Sequence, residues 1–225
     1  ETRDFMPYHF GVKVLEGKRR LKLTRERYAM VSNKNSLVRF SRDIYADEEG
    51  KIYTDKWCEN QLKDSLKNYD LDMEYFSLLN HNEFCKEIEV FLERNRQFTE
   101  VSDLNLYDGK SGYYMMILDE YSQVYIGTTN NIKRRIRQHW SNSKPFDRLL
   151  FPMGNVDSSI LSIDSFHALD TTRILAYETN KTFDSEDKFI NQIPAKFMCN
   201  KMAGGKIDGG LHQAIAMMKK RNLKR

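Results

Sequence analysis

The chain has 225 residues, 40% of them hydrophobic and 30% charged, with a formal net charge of +4. That composition is normal for a globular protein, and the length suits one large domain or two small ones. No run reaches the length of a membrane span and no signal-peptide pattern opens the chain, so no membrane partner is expected. The three cysteines, Cys58, Cys85 and Cys199, are odd in number and widely spaced. No Cys/His cluster matches a zinc site, and a reduced, cytoplasmic setting is the simple expectation. The chain opens on Glu1 rather than Met, which leaves room for residues upstream.

Charge is unevenly spread. Residues 1–42 hold 11 Lys/Arg against 4 Asp/Glu, residues 43–100 hold 7 against 15, and the tail from Lys201 holds 7 against 1. Basic clusters at both ends can neutralise phosphates and release counterions. Solvated tails are the plainer alternative.

Tyr8 to Leu15, a turn at Glu16-Gly17-Lys18, and Arg20 to Val31 read as a basic β-hairpin. Its residues Arg19, Arg20, Lys22 and Arg25 are candidate DNA contacts, since alternate positions of a β-ribbon can meet a groove or phosphates. Arg39 to Ala46 and Lys51 to Thr54 read as a second hairpin. From Trp57 to about Gln97 the pattern turns helical, with Phe84, Ile88, Phe91 and Leu92 on one stripe. A polar break follows from Ser102 to Ser111. The N-terminal region is therefore taken as 1–105, a core as 106–202, and a basic tail as 203–225.

Within the core, Tyr113 to Leu118 reads as a strand, Asp119 to Ser122 as a turn, and Gln123 to Ile126 as the return strand. Gly127 is expected to stop it, and Thr128 to Asn131 offer helix N-caps. A helix from Ile132 to Trp140 would put Ile132, Arg135, Ile136 and His139 on one face. An arginine on an inward face needs a partner, because an unpaired buried charge is costly. Either Arg135 snorkels past the core and His139 is a satisfied structural histidine, or both belong to a site. Lys133, Arg134 and Arg137 fall elsewhere on the helix, available to phosphates. Residues 141–170 are irregular, and a loop of that length is often functional. Arg173 to Tyr177 reads as a third strand and Asp184 to Gln192 as a helix, ended by Pro194. The fold class is α+β: a small three-stranded antiparallel sheet flanked by helices, behind a β-hairpin and helical N-terminal region.

The strings Gly112-Tyr113-Tyr114 and Tyr125-Ile126-Gly127, followed by Arg135 and His139, resemble the GIY-YIG endonucleases, with Tyr for the central Ile of the first string. The resemblance covers about residues 110–200. It implies a DNA endonuclease using Mg²⁺, for which Mn²⁺ can substitute. It implies that Arg135 faces the scissile phosphate, that Tyr114 and Tyr125 bracket the attacking water with one of them as general base, and that His139 orients a tyrosine or relays a proton. The metal-binding acid it implies is Glu186, on the order Glu186, Ile190, Pro194, Asn200; Glu178 is the rival. Asn200 is expected to orient the Glu186 region. Thr128 stands where many members carry Lys, a departure from the pattern. The length fits a type II restriction endonuclease with the N-terminal region reading double-stranded DNA. A phage-encoded, phage-defence or mobile-element nuclease is the alternative, as is a catalytically silent DNA-binding protein that kept the fold. One active site cuts one strand, so double-strand cleavage points to a homodimer or to sequential nicks.

Overall fold

The computed structural model describes residues 7–14, 21–29, 55–141, 161–181 and 185–200. Tyr8–His9 (β1) and Val12–Lys13 (β2) form a miniature antiparallel hairpin. Its turn residues Phe10 and Gly11 have φ of 45° and 69°, the two-residue geometry that matches strand twist. A short helix, Arg25–Ala29 (α1), comes next. The long basic hairpin expected over Tyr8 to Val31 is thus corrected: the chain turns early at Phe10-Gly11, and its later part is helical. Thr24 stands just ahead of α1 and its carbonyl accepts from Tyr28 N at 2.9 Å. Such a residue before a helical turn outweighs the strand-like alternation of Leu21 and Leu23. Arg19, Arg20, the hairpin expected over Arg39 to Thr54, and the tail 203–225 lie outside the described residues.

The helical stretch resolves into two helices, Asp55–Leu78 (α2) and His81–Arg94 (α3). Asn80 separates them by capping α3, its side chain accepting from Glu83 N at 3.0 Å. No helix among the described residues is long and apolar enough to cross a membrane.

The sheet is built from Thr99–Glu100 (β3), Gly112–Leu118 (β4), Gln123–Thr129 (β5) and Arg173–Glu178 (β6), in the order β3-β6-β4-β5 with every pair antiparallel. The mixed helix and strand architecture agrees with the sequence, but there are four strands where three were expected. The additional one, β3, is two residues long, too short to show any alternation. It pairs Thr99 with Ala176 and Glu100 with Leu175. The return strand β5 also runs past Gly127 to Thr129, so Gly127 does not end it.

All seven residues of β4 are buried, because the sheet is covered on both faces. Tyr114, Met116 and Leu118 share one core with Ile132, Ile136 and Trp140 of the helix Ile132–Ser141 (α4). Tyr113, Met115 and Ile117 share the other with Phe84, Ile88 and Phe91 of α3 and with Phe189 and Ile190 of the helix Glu186–Ile190 (α5). The packing crosses the 105/106 division: Val12, Leu23, Tyr28 and Phe76 belong to the first core. Asp170 helps to join the parts, accepting from Leu23 N at 2.8 Å, His167 N at 2.8 Å and the Tyr121 hydroxyl at 2.9 Å.

Candidate active site

Period-two alternation puts Tyr114 on the α4 face of β4, where it meets the inward side of that helix. The Tyr114 hydroxyl lies 2.7 Å from His139 Nε2, and His139 Nδ1 lies 2.6 Å from Asp164 Oδ1. All three residues are buried. Asp164 comes from a 3₁₀ turn, Ile163–Ser165, which Ser162 caps through its hydroxyl. An ionised carboxylate can only accept, so Asp164 fixes the proton on Nδ1 and leaves Nε2 to accept from the tyrosine hydroxyl. The result is a linear chain, hydroxyl to imidazole to carboxylate, with the logic of a nucleophile triad but a phenol at its head.

Tyr125 comes from β5 and packs beside this chain. Its ring is edge-on to His139 at 5.1 Å between centroids and tilted against Tyr114 at 6.1 Å. Gly127 is what lets the two tyrosines converge. It is the register partner of Tyr114, and a Cβ there would sit 2.5 Å from the Tyr114 hydroxyl. The sequence reading made Gly127 a strand stop; the structure gives it the task of making room for a side chain.

Arg135 projects into the same space, half-buried, hydrogen-bonded to Tyr114 and close in charge to Tyr125. Burial opposes its charge, but the two phenols and Asp164 outweigh that and hold it firmly cationic. Burial pushes the Tyr114 hydroxyl well above its ordinary pKa, with Tyr125 adding to the rise and Arg135 opposing it. Tyr125 is also raised, by burial first and Glu186 second, again against Arg135. Glu186, the first residue of α5, is raised by burial and then by Asp187; Arg135 and the Thr128 backbone N–H pull it back. Arg135 is therefore the common cation of Tyr114, Tyr125 and Glu186, which the fold gathers from β4, β5 and α5.

The rival acid stands apart from this group. Glu178 ends β6, where it is exposed and pairs with Lys110 at 2.9 Å. Asn200 was expected to orient the Glu186 region, but its hydrogen bonds go elsewhere. Its amide grips the backbone of Ile126, accepting from Ile126 N at 3.0 Å and donating to Ile126 O at 2.7 Å. β5 is the edge strand of the sheet, and the segment after α5 satisfies its outer backbone groups: Cys199 N donates to Val124 O at 2.8 Å and Asn200 pins the strand next to Tyr125.

A sequence model of the GIY-YIG catalytic domain matches residues 110–190. The match spans β4, β5, α4, β6 and α5, and so takes in Tyr114, Tyr125, Arg135, His139, Asp164 and Glu186, but not Asn200. It points to a nuclease. No curated protein and no solved structure matches the chain.

The residues expected to meet DNA fall in two groups, Lys22 and Arg25 of the N-terminal region and Lys133, Arg134 and Arg137 of α4. Lys22 pairs with Glu120 at 2.6 Å, and Arg25 makes a two-pronged contact with Asp70 at 2.7 Å. Both pairs are exposed, where such contacts are weak and exchangeable. Lys133 pairs with Asp108 at 2.9 Å, the Arg134 guanidinium donates to Asn130 at 3.1 Å, and Arg137 is exposed. Lys133, Arg134 and Arg137 line an open groove with Lys13 of β2. Lys13 escaped the sequence reading because it sits in the miniature hairpin, apart from the basic run at 18–25. Asp164 escaped it as well. Only the Ser162-x-Asp164 spacing marks a capped turn there, and nothing in that spacing ties the turn to a histidine 25 residues earlier.

Proposed function

We propose that the protein is a divalent-metal-dependent endonuclease that hydrolyses phosphodiester bonds of double-stranded DNA. The observation that carries this is the buried Tyr114–His139–Asp164 chain lying against Arg135, with Tyr125 and Glu186 on its open side. A phosphodiesterase needs a base for water, a cation for the charge gathered on phosphorus, and help for the leaving oxygen. The first two are assembled from this chain's own residues.

Tyr125 is the more exposed of the two phenols and stands nearest to Glu186 in charge, so it is the one that meets the attacking water. Its proton passes to the Tyr114 oxygen as Tyr114 gives its own to His139 Nε2, and Asp164 holds the resulting imidazolium. The raised phenols do not ionise unaided at neutral pH. The relay supplies the acceptor, and Arg135 supplies the positive charge that steadies the phenolate. Arg135 also faces the phosphate, where a guanidinium matches two equatorial oxygens at once.

Glu186 fits a divalent cation. Its carboxyl is held toward the neutral form by burial and by Asp187, and a bound cation removes that penalty. Mg²⁺ takes oxygen ligands and keeps several waters, so one carboxylate is anchor enough, and Mn²⁺ can stand in for it. When bound, the metal neutralises charge on the phosphate and the leaving oxygen.

Lys13, Lys133, Arg134 and Arg137 hold the DNA backbone along the groove beside α4, and the N-terminal region contributes target recognition as in a type II restriction endonuclease. Two copies or two passes cut both strands. The test is incubation of the purified full chain with plasmid and genomic DNA, with Mg²⁺ and with a chelator. Discrete metal-dependent fragments are expected. A smear would leave the nuclease and remove the sequence specificity, and intact DNA under every condition would reject the nuclease.

A further inference from the structure

Three side chains with metal-binding atoms meet at the far end of the β4–β5 hairpin. His81 and Cys85 stand one turn apart on α3, and Asp119 opens the turn after β4. One ligand atom from each lies within 4.8 Å of the other two. His81 Nε2 and Cys85 Sγ are 3.5 Å apart. Zinc bonds of ~2.3 Å to sulfur and ~2.0 Å to nitrogen at a tetrahedral angle set the S···N edge at about 3.5 Å. This pair already has that spacing.

The surrounding contacts are those a ligand set needs. His81 Nδ1 lies 3.1 Å from the Ser122 hydroxyl. With the Nδ1 proton donated there, the Nε2 lone pair faces Cys85. Ser122 is held in the left-handed region, φ 49°, which presents its hydroxyl to the start of α3. The Asp119 carboxylate receives Arg173 on both oxygens, at 2.6 and 3.0 Å, and Thr172 on Oδ2 at 2.5 Å. Those donors keep it ionised and fix its plane, as outer partners of metal ligands do, and Oδ1 keeps a further lone pair for a cation.

We propose that His81, Cys85 and Asp119 bind Zn²⁺ or another borderline-soft divalent cation, with the fourth position open to water. Sulfur and imidazole select against Mg²⁺, so this is not the nuclease metal. It is also remote from it, because Asp119 lies five residues along the strand from Tyr114, roughly 17 Å by strand rise. The Cys85 proton leaves to solvent as the cation binds. The bound ion clips α3, from the N-terminal region, to the tip of the catalytic hairpin. The sequence hides the site, because 34 residues separate Cys85 from Asp119 and only the fold closes the distance.

The test uses the reduced, metal-stripped full chain titrated with Co²⁺. One equivalent is expected to give a near-ultraviolet thiolate-to-cobalt charge-transfer band that Zn²⁺ bleaches. Cys85→Ser, a near-isosteric change at the margin of the second core, and His81→Ala, at an exposed position, lose the band; Cys58→Ser and Glu186→Gln keep it. Ser122→Ala weakens the binding by about 10-fold or more, the usual effect of losing an outer partner. No band in the folded wild-type chain, or a band that survives Cys85→Ser, would overturn the proposal. A band retained in Glu186→Gln keeps this site separate from the fate of the nuclease reading.

Discussion

Gly127→Ala is the smallest change that reaches the centre of the site. The added Cβ would stand 2.5 Å from the Tyr114 hydroxyl, 2.7 Å from its Cζ and 2.9 Å from Tyr125 Cε1. Ordinary contacts begin near 3.4 Å, so the Tyr114 hydroxyl must retreat by about 0.9 Å. Both neighbours are ring atoms held in a packed core, and a rotamer change cannot relieve the clash. A retreat of that size stretches or breaks the 2.7 Å bond to His139. Misplacing a reacting group by about 1 Å costs on the order of 100-fold in rate, or about 2.7 kcal/mol of barrier. Overpacking is expected to cost about 1–3 kcal/mol of stability as well. Single-turnover cleavage of a DNA substrate, below the melting temperature of the variant, separates the two effects. A folded Gly127→Ala protein cleaving within about threefold of wild type would refute the reasoning that this glycine exists to seat Tyr114.

Asp164→Asn should lower the single-turnover rate by about 10²–10⁴-fold while DNA affinity holds, because it disturbs the tautomer of His139 and not the DNA surface; a parallel loss of affinity would show that Asp164 is merely structural. Glu186→Gln should abolish metal-dependent cleavage, whereas Glu178→Gln should not, and Mn²⁺-binding titrations of the two variants decide between them. Without metal, the raised Glu186 carboxyl costs stability when ionised, a cost lost as pH falls through its folded pKa. Glu186→Gln should therefore melt no lower than wild type at pH 7, with the difference shrinking at acid pH; a clear drop in melting temperature at pH 7 would contradict the burial argument. Arg134→Ala and Arg137→Ala should each flatten the salt dependence of DNA binding by about one unit, and an unchanged slope would move the DNA to another face.

What the sequence disclosed followed from periodicity. The strand Tyr113 to Leu118, the return strand and the inward quartet Ile132, Arg135, Ile136 and His139 all lie where alternation or helical spacing put them. The misses have physical causes. A strand as short as Thr99–Glu100 carries no period. Gly127 looked like a strand stop because glycine usually is one, and only the register shows Tyr114 across from it. Arg20 to Val31 read as a strand although Arg25–Ala29 is helical, and the actual turn lay at Phe10-Gly11, where an aromatic in a left-handed position gives no compositional warning. Asp164 stands in a 3₁₀ turn with no regular pattern, and its role depends on a contact that sequence spacing cannot express. Asn200 bonds to the Ile126 backbone rather than to the Glu186 region, and an edge strand's need for hydrogen bonds is a property of the folded sheet that spacing does not express.

The most direct measurement is conversion of supercoiled plasmid by the purified chain in Mg²⁺, set beside Arg135→Ala. Arg135 is, among the described residues, the cation that acts on Tyr114, Tyr125 and Glu186 together. The account predicts nicked or linear product from the wild type, none in chelator, and a rate about 10²–10³-fold lower from the variant with its fold intact. Equal cleavage by both proteins, or none by the wild type in any divalent metal, would contradict it.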